Sequence, residues 1–137
     1  MTTIAQNIVL ASDVSSVVQI EQLIDMVCEN FYISEDNYGN ILIALTEAVN
    51  NAIVHGNKLD KAKSVNLSLE ASNKEVCFIV KDEGKGFDQT KVPDPTLPEN
   101  LNKLSGRGVF LMNSLADEVS FDENGTSVKL TFCISTN

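Results

Sequence analysis

Glu47-Ala48-Val49-Asn50-Asn51-Ala52-Ile53-Val54-His55-Gly56 closes a long helical pattern whose two faces differ in kind. At about 100° per residue, Ile41, Leu42, Leu45, Ala48, Val49, Ala52 and Ile53 gather on one side. Asn40, Glu47, Asn50, Asn51 and His55 gather on the other, with Ile43, Ala44 and Val54 among them. A solvated helix face normally carries Lys, Glu and Gln. A mixture of carboxamides, an imidazole and small or apolar residues suits a face covered by a ligand or another layer. Ser34-Glu35-Asp36-Asn37 is the expected start of this helix, which runs to about His55 with Gly56 as its stop.

Working outward, Ile4 to Leu10 reads as a first strand. Ser12, Asp13, Ser15 and Ser16 offer caps for a first helix, and Ser16 with Gln19 fits a capping box. Val17, Ile20, Leu23, Ile24, Val27 and Phe31 form its apolar stripe. After the second helix, Lys63 to Ala71 alternates as a strand with Val65, Leu67 and Leu69 on one face. Glu75 to Lys81 is almost wholly apolar inside, which predicts a central strand covered on at least one face. From Asp88 to Ser105 no period survives, and Pro93, Pro95 and Pro98 fall there. A loop of this length inside a compact domain is usually functional, and its place between two glycine pairs suggests a lid. Gly108 to Ala116 returns to helix. Glu118 to Asp122 and Thr126 to Ile134 close as a hairpin through Glu123-Asn124-Gly125. The order predicts an α+β fold: a two-layer sandwich with a mixed, mostly antiparallel sheet and helices on one face. No GxGxxG follows the first strand and no GxxxxGK[ST] occurs, so neither a Rossmann site nor a P-loop is expected.

The 137 residues suit a single domain with a full core. A net charge of -9 argues against direct nucleic-acid binding, which rests on basic patches. No apolar run approaches a membrane span, and the N-terminus lacks the pattern of a signal peptide. Cys28, Cys77 and Cys133 are widely spaced in apolar surroundings, so they read as reduced, buried core thiols in a cytoplasmic protein rather than a zinc site.

Two further segments accompany the helix. In Asp82-Glu83-Gly84-Lys85-Gly86-Phe87, an Asp just past a strand end can accept from a ligand amino group, and the glycines allow close backbone approach. In Ser105-Gly106-Arg107-Gly108-Val109-Phe110-Leu111-Met112, Gly106-Arg107-Gly108 opens a helix whose free N–H groups favour phosphate. Glu47 and Asn51 are neighbours one turn apart. An Asn oxygen can serve a phosphate-bound magnesium ion, and a carboxylate can orient a water or accept a proton. Taken singly, each segment could be a buried polar helix, an ordinary tight turn or a flexible helix entry. Their order and spacing together read as one nucleotide site.

These segments resemble the N, G1 and G2 boxes of the GHKL (histidine kinase-like) ATPase superfamily. The N segment is most similar to the ExxxNAxxHG signature of its small anti-sigma factor serine-protein kinases, such as the Bacillus sporulation and stress-response anti-sigma factors. The resemblance covers essentially the whole chain and implies the Bergerat ATP-binding fold, with residues 1–137 as one ATPase domain and a lid at about 88–105. It implies Glu47 as general base, Asn51 as magnesium ligand, Asn50 close to the phosphates and Asp82 as reader of the adenine amino group. Gly84 and Gly86 would shape the adenine pocket, and Gly106, Arg107 and Gly108 would meet the phosphates. Phe87, Ser105 and Val109 complete the implied nucleotide-binding set. His55, at the helix end near the lid, belongs to that set as a structural hydrogen-bonder more than as a catalyst. ATP and magnesium follow as cofactors. The implied activity is phosphorylation of a small STAS-type anti-anti-sigma protein on serine or threonine, in competition with sigma-factor binding. Relatives are commonly dimers, so a homodimer is possible. The lid departs from the family in being polar and proline-containing, and the first helix has Glu21, Asp25 and Glu29 but no Lys or Arg. Two other readings stand beside this one: a non-catalytic nucleotide-binding module that sequesters a regulator, and a histidine kinase catalytic domain acting in trans.

Overall fold

The computed structural model describes residues 4–84, 111–122 and 126–134. Five strands form one sheet: β1 (Ile4–Ala11), β2 (Ser64–Ala71), β3 (Glu75–Lys81), β4 (Glu118–Asp122) and β5 (Ser127–Cys133). Their spatial order is β1-β2-β3-β5-β4, and the pairings among the described residues are all antiparallel. The expected α+β sandwich is therefore present, with β3 in the centre. The described helices are α1 (Val18–Asn30), α2 (Glu35–Asn51) and, at 111–115, helical residues of α3, together with single turns at Val14–Val17 and Ala52–Gly56.

Alternation decides which sheet face is covered. Val65, Leu67 and Leu69 of β2, Val76, Phe78 and Val80 of β3, and Val128, Leu130 and Phe132 of β5 are all buried. They share one core with Ile20, Leu23, Ile24 and Val27 of α1, with Ile41, Leu45 and Val49 of α2, and with Met112 of α3. Full burial of each such side chain contributes about 1.5–3 kcal/mol. The Phe78 and Phe132 rings meet edge to face, with centroids 6.1 Å apart. The opposite sheet face is mostly half-buried or exposed, with Ile79 of β3 39% exposed, although Thr131 of β5 is buried there.

Several local expectations are corrected. Ala44 packs with the core side of α2 and is fully buried, because it lies one turn from buried Ile41 and Ala48. The Ser16–Gln19 capping box does not form. A 3-10 turn over Val14–Val17 precedes α1, and Asp13 caps it by accepting from the Ser15 N–H at 2.9 Å. The Ser16 hydroxyl instead donates to the Ala11 carbonyl at 2.9 Å. The cysteines are free but none is fully buried: Cys28 is half-buried against the core, Cys77 is half-buried and Cys133 is exposed. Cys133 follows inward-facing Phe132, so alternation turns it outward, where nearby Asp117 holds its thiol pKa above the usual range. Asp122 pairs with Ser127 as a closing hairpin requires, while the expected turn at 123–125 lies outside the described residues.

The start of α2 follows expectation. Ser34 is extended and its hydroxyl accepts from the Asn37 N–H at 3.1 Å. Tyr38 ties α2 to α1 by donating to Asp25 Oδ1 at 2.9 Å, a bond that pushes its phenol pKa up to about 12. The helix ends at Gly56 as expected, but the geometry of its last turn differs. Regular α-helix stops at Asn51, and Ala52–Gly56 forms a wider π-helical turn. The Asn57 N–H reaches back to the Ala52 carbonyl at 2.7 Å and the Leu59 N–H to Ile53 at 2.8 Å. The chain reverses through Lys58 and Leu59, at φ 54° and 60°, rather than through Gly56.

Candidate functional site

α2 presents Glu47, Asn50 and Asn51 half-buried, while Ala44, Ala48, Ala52 and Ile53 are buried. Ile43, one turn before Glu47, is 47% exposed. Glu47 and Asn51 lie one turn apart, as the sequence implied, and both remain accessible to a ligand. The π-helical turn adds a residue to the last turn, and His55 emerges from it exposed.

The end of this helix abuts the Asp82 segment. A Cβ on Gly56 would overlap the Asp82 carboxylate, and a Cβ on Gly84 would overlap the Gly56 carbonyl. At Gly84 the obstacle is backbone, so glycine is required there; at Gly56 the Asp82 carboxylate would have to shift to admit a side chain. Gly56 ends the helical stretch where the sequence placed the stop, and it also makes room for Asp82. Asp82 is fixed at both ends of the residue. Its N–H donates to the Thr126 carbonyl at 2.9 Å, and its Oδ1 accepts from the Gly84 N–H at 2.7 Å. Burial holds the Asp82 carboxyl above the ordinary aspartate range, against the opposing pull of the Gly84 N–H and of Lys63. A half-buried carboxylate in this condition gains from a donor brought by a ligand.

Sequence reasoning missed the residue that joins these parts. Asn57 is 1% exposed, and its side chain uses both kinds of hydrogen-bonding group. Its Nδ2 donates to Ser12 Oγ at 2.8 Å and to the Ser64 carbonyl at 3.0 Å. Its Oδ1 accepts from the Glu83 N–H at 2.7 Å. Ser12 in turn donates to the Lys63 carbonyl at 2.8 Å, and Glu83 Oε2 accepts from Ser64 N–H and hydroxyl. Among the described residues no buried side-chain polar atom lacks a partner. An Asn directly after His-Gly at a helix end was the available signal, but it reads as a turn residue until its distant partners are known.

Of the expected site residues, Glu47, Asn50, Asn51, His55, Asp82 and Gly84 are described. The structure brings Asp82 and Gly84 against the end of the helix that carries the others. Gly86, Phe87, Ser105, Gly106, Arg107, Gly108, Val109 and the expected lid at 88–105 lie outside the described residues. No group of three or more His, Cys, Asp or Glu side chains suited to a metal occurs among the described residues. No helix among them is long and apolar enough to cross a membrane.

Residues 10–132 match the family described as the histidine kinase-like ATPase domain. The chain is 34% identical over 105 residues to the serine-protein kinase RsbW of Bacillus licheniformis, covering 72% of this chain and 66% of that protein. It is 31% identical over 104 residues to the serine-protein kinase RsbW of Staphylococcus aureus, covering 70% of this chain and 65% of that protein. The chain thus spans just under two thirds of the length of these relatives. Its fold is similar to the crystal structure of the RsbU and RsbW domains of a Mycobacterium tuberculosis protein, with a TM-score of 0.65 at 14% identity. That likeness covers 96% of this chain and 32% of the other.

Proposed function

The chain belongs to the histidine kinase-like ATPase domain family, and from that premise we propose that it is an ATP-dependent protein serine/threonine kinase that is also an anti-sigma factor. The observation that carries the reading is the accessible Glu47–Asn51 pair on α2, on the helix whose end is locked against Asp82. Residues 1–137 act as one ATPase domain in a cytoplasmic setting, with a lid at 88–105.

In this reading Asp82 accepts from the adenine amino group. Gly84, Gly86 and Phe87 wall the base. Ser105, Gly106, Arg107, Gly108 and Val109 meet the phosphates, with Asn50 nearby and His55 steadying the helix end. The donor set suits magnesium, a hard cation that keeps several waters and needs few protein oxygens; Asn51 is the side chain that would hold it. When bound, the ion neutralises phosphate charge. Glu47 takes the proton from a substrate serine or threonine hydroxyl. The hydroxyl oxygen bonds to the γ-phosphorus, the bond from that phosphorus to the β,γ-bridging oxygen breaks, and ADP leaves with its electron pair. Little more than positioning and charge neutralisation is asked of the protein.

The substrate is a STAS-type anti-anti-sigma protein, and a sigma factor competes with it for the chain, which acts as a homodimer. The exposed face of α1 carries Glu21, Asp25 and Glu29, so a partner gripped there supplies the basic groups. Transfer of the γ-phosphate to a cognate STAS protein tests the proposal. Glu47→Ala lowers transfer by about 10²–10⁴-fold, the usual contribution of a general base, while ATP binding survives. Nucleotide binding with no phosphorylation of any STAS candidate supports the non-catalytic sequestering module instead.

A further inference from the structure

We propose that Asn57 is a positioning residue for adenine recognition: its carboxamide clamps the Asp82 segment to the end of α2, and so sets the carboxylate that reads the base. The inference rests on the reading of Asp82 given above and assigns a role to a residue outside the nucleotide-binding set.

Four separate stretches of chain meet at this one side chain. Ser12 lies just past β1, Asn57 at the end of α2, Ser64 at the start of β2 and Glu83 just past β3. Both classes of bond matter. The two donor contacts, to Ser12 Oγ and the Ser64 carbonyl, fix which way the carboxamide faces. Its oxygen is then aimed at the Glu83 N–H. A carboxylate at this position offers no donor, and an aliphatic side chain offers neither.

Glu83 is the residue between Asp82 and Gly84. Pinning its N–H fixes the peptide that follows the Asp82 carboxylate, while Thr126 holds the N–H that precedes it. The Asp82 oxygens then lie where Gly56 leaves no room for a Cβ, and the Gly84 backbone lies against the Gly56 carbonyl. With such clearances, a small shift of the Glu83 peptide moves the carboxylate relative to α2. Loss of a supporting hydrogen bond behind a ligand-contacting group costs about 10–100-fold in affinity at metal sites, and a similar loss is expected here. Asn57 does not touch nucleotide in this scheme. It acts through Asp82 and Gly56.

The test is the ratio of affinities for MgATP and MgITP, whose purine bears an oxygen in place of the adenine amino group. Wild-type protein prefers MgATP. Asn57→Ala reduces that preference about ten-fold or more at a temperature where thermal denaturation shows the variant folded, with the loss confined to MgATP. Ser12→Ala removes one of the two Asn57 donor contacts, together with the Ser12–Lys63 bond, and leaves the bond to Glu83 in place; it gives a smaller fall in the same ratio and serves if Asn57→Ala fails to fold. A ratio unchanged in whichever of these variants folds overturns the inference, since a purely structural Asn57 lowers the melting temperature without altering base preference. Equal wild-type binding of MgATP and MgITP overturns the adenine reading itself, and is seen before any variant is made.

Discussion

The two ends of α2 are built by different means. At its start, Ser34 accepts from Asn37 three residues on, and Glu35 and Asp36 in the first turn suit the positive end of the helix dipole. Everything needed lies within one turn of chain. At its end, regular geometry gives way to a π-helical turn, and Lys58 and Leu59 adopt left-handed angles, a conformation costing roughly 1–2 kcal/mol per non-glycine residue. The partners of Asn57 lie 45, 7 and 26 residues away. A local cap suffices where a helix only has to begin. The distorted end persists because long-range bonds over-determine it, and that is the end bearing the residues proposed to hold nucleotide.

The largest effect that separates the two ends is expected at Gly84. Gly84→Ala places a methyl group on the Gly56 carbonyl, a backbone atom that cannot swing aside. The variant loses about 1–3 kcal/mol of stability, as overpacking typically does, and loses ATP binding along with it. Chemical denaturation and nucleotide titration on the same sample check both. Full stability with full ATP affinity would mean that this end yields easily and is no more constrained than the start of the helix. A smaller effect is expected at the other end. Ser34→Ala removes the cap and costs about 1 kcal/mol. ATP affinity, measured where the variant is folded, stays at the wild-type value. A drop in affinity there would show that the two ends are coupled along the helix.

The same contrast explains what was legible in the sequence. Ser34 as cap, the stripe Ile20, Leu23, Ile24 and Val27, and the alternating Val65, Leu67 and Leu69 depend on periods and near neighbours, and all are found as expected. Glu75–Lys81 was legible as a central strand because its inner residues are apolar. The failures share a cause. Ser16 fits a capping box locally, but the preceding 3-10 turn sends its hydroxyl to Ala11. Gly56 was legible as the helix stop, but not the second use of its missing side chain, which makes room for Asp82, remote in sequence. Asn57 carries no local signal stronger than a turn, since its worth lies in three partners brought by the fold. In the candidate site, Glu47 and Asn51 were legible as a helical pair, and Asp82 as a residue past a strand. What held them together was not.

The smallest expected effect concerns the charge enclosed at the distorted end. Burial raises the Asp82 pKa above its ordinary value, so the folded chain holds this proton more tightly than the unfolded chain does. The ionised carboxylate therefore lowers stability at neutral pH, and that cost is relieved as pH falls through the raised folded value. Asp82→Asn keeps an oxygen for the Gly84 N–H but removes the charge. Without nucleotide, wild type and variant should unfold alike below about pH 4, the ordinary aspartate value. Above it the variant becomes the more stable, and the gap levels off once the raised folded value is passed. The gap should be smaller than the loss of the Ser34 cap, because Asp82 is only half-buried and water screens it. Saturating MgATP reverses the order if the carboxylate meets the adenine amino group. Denaturation of both proteins across the acid range, with and without MgATP, measures each part. A gap of opposite sign in the free protein would mean that donors at the junction already satisfy the carboxylate. Asp82 would then be a structural clasp like Ser34, and the difference between the two ends would lie in geometry alone.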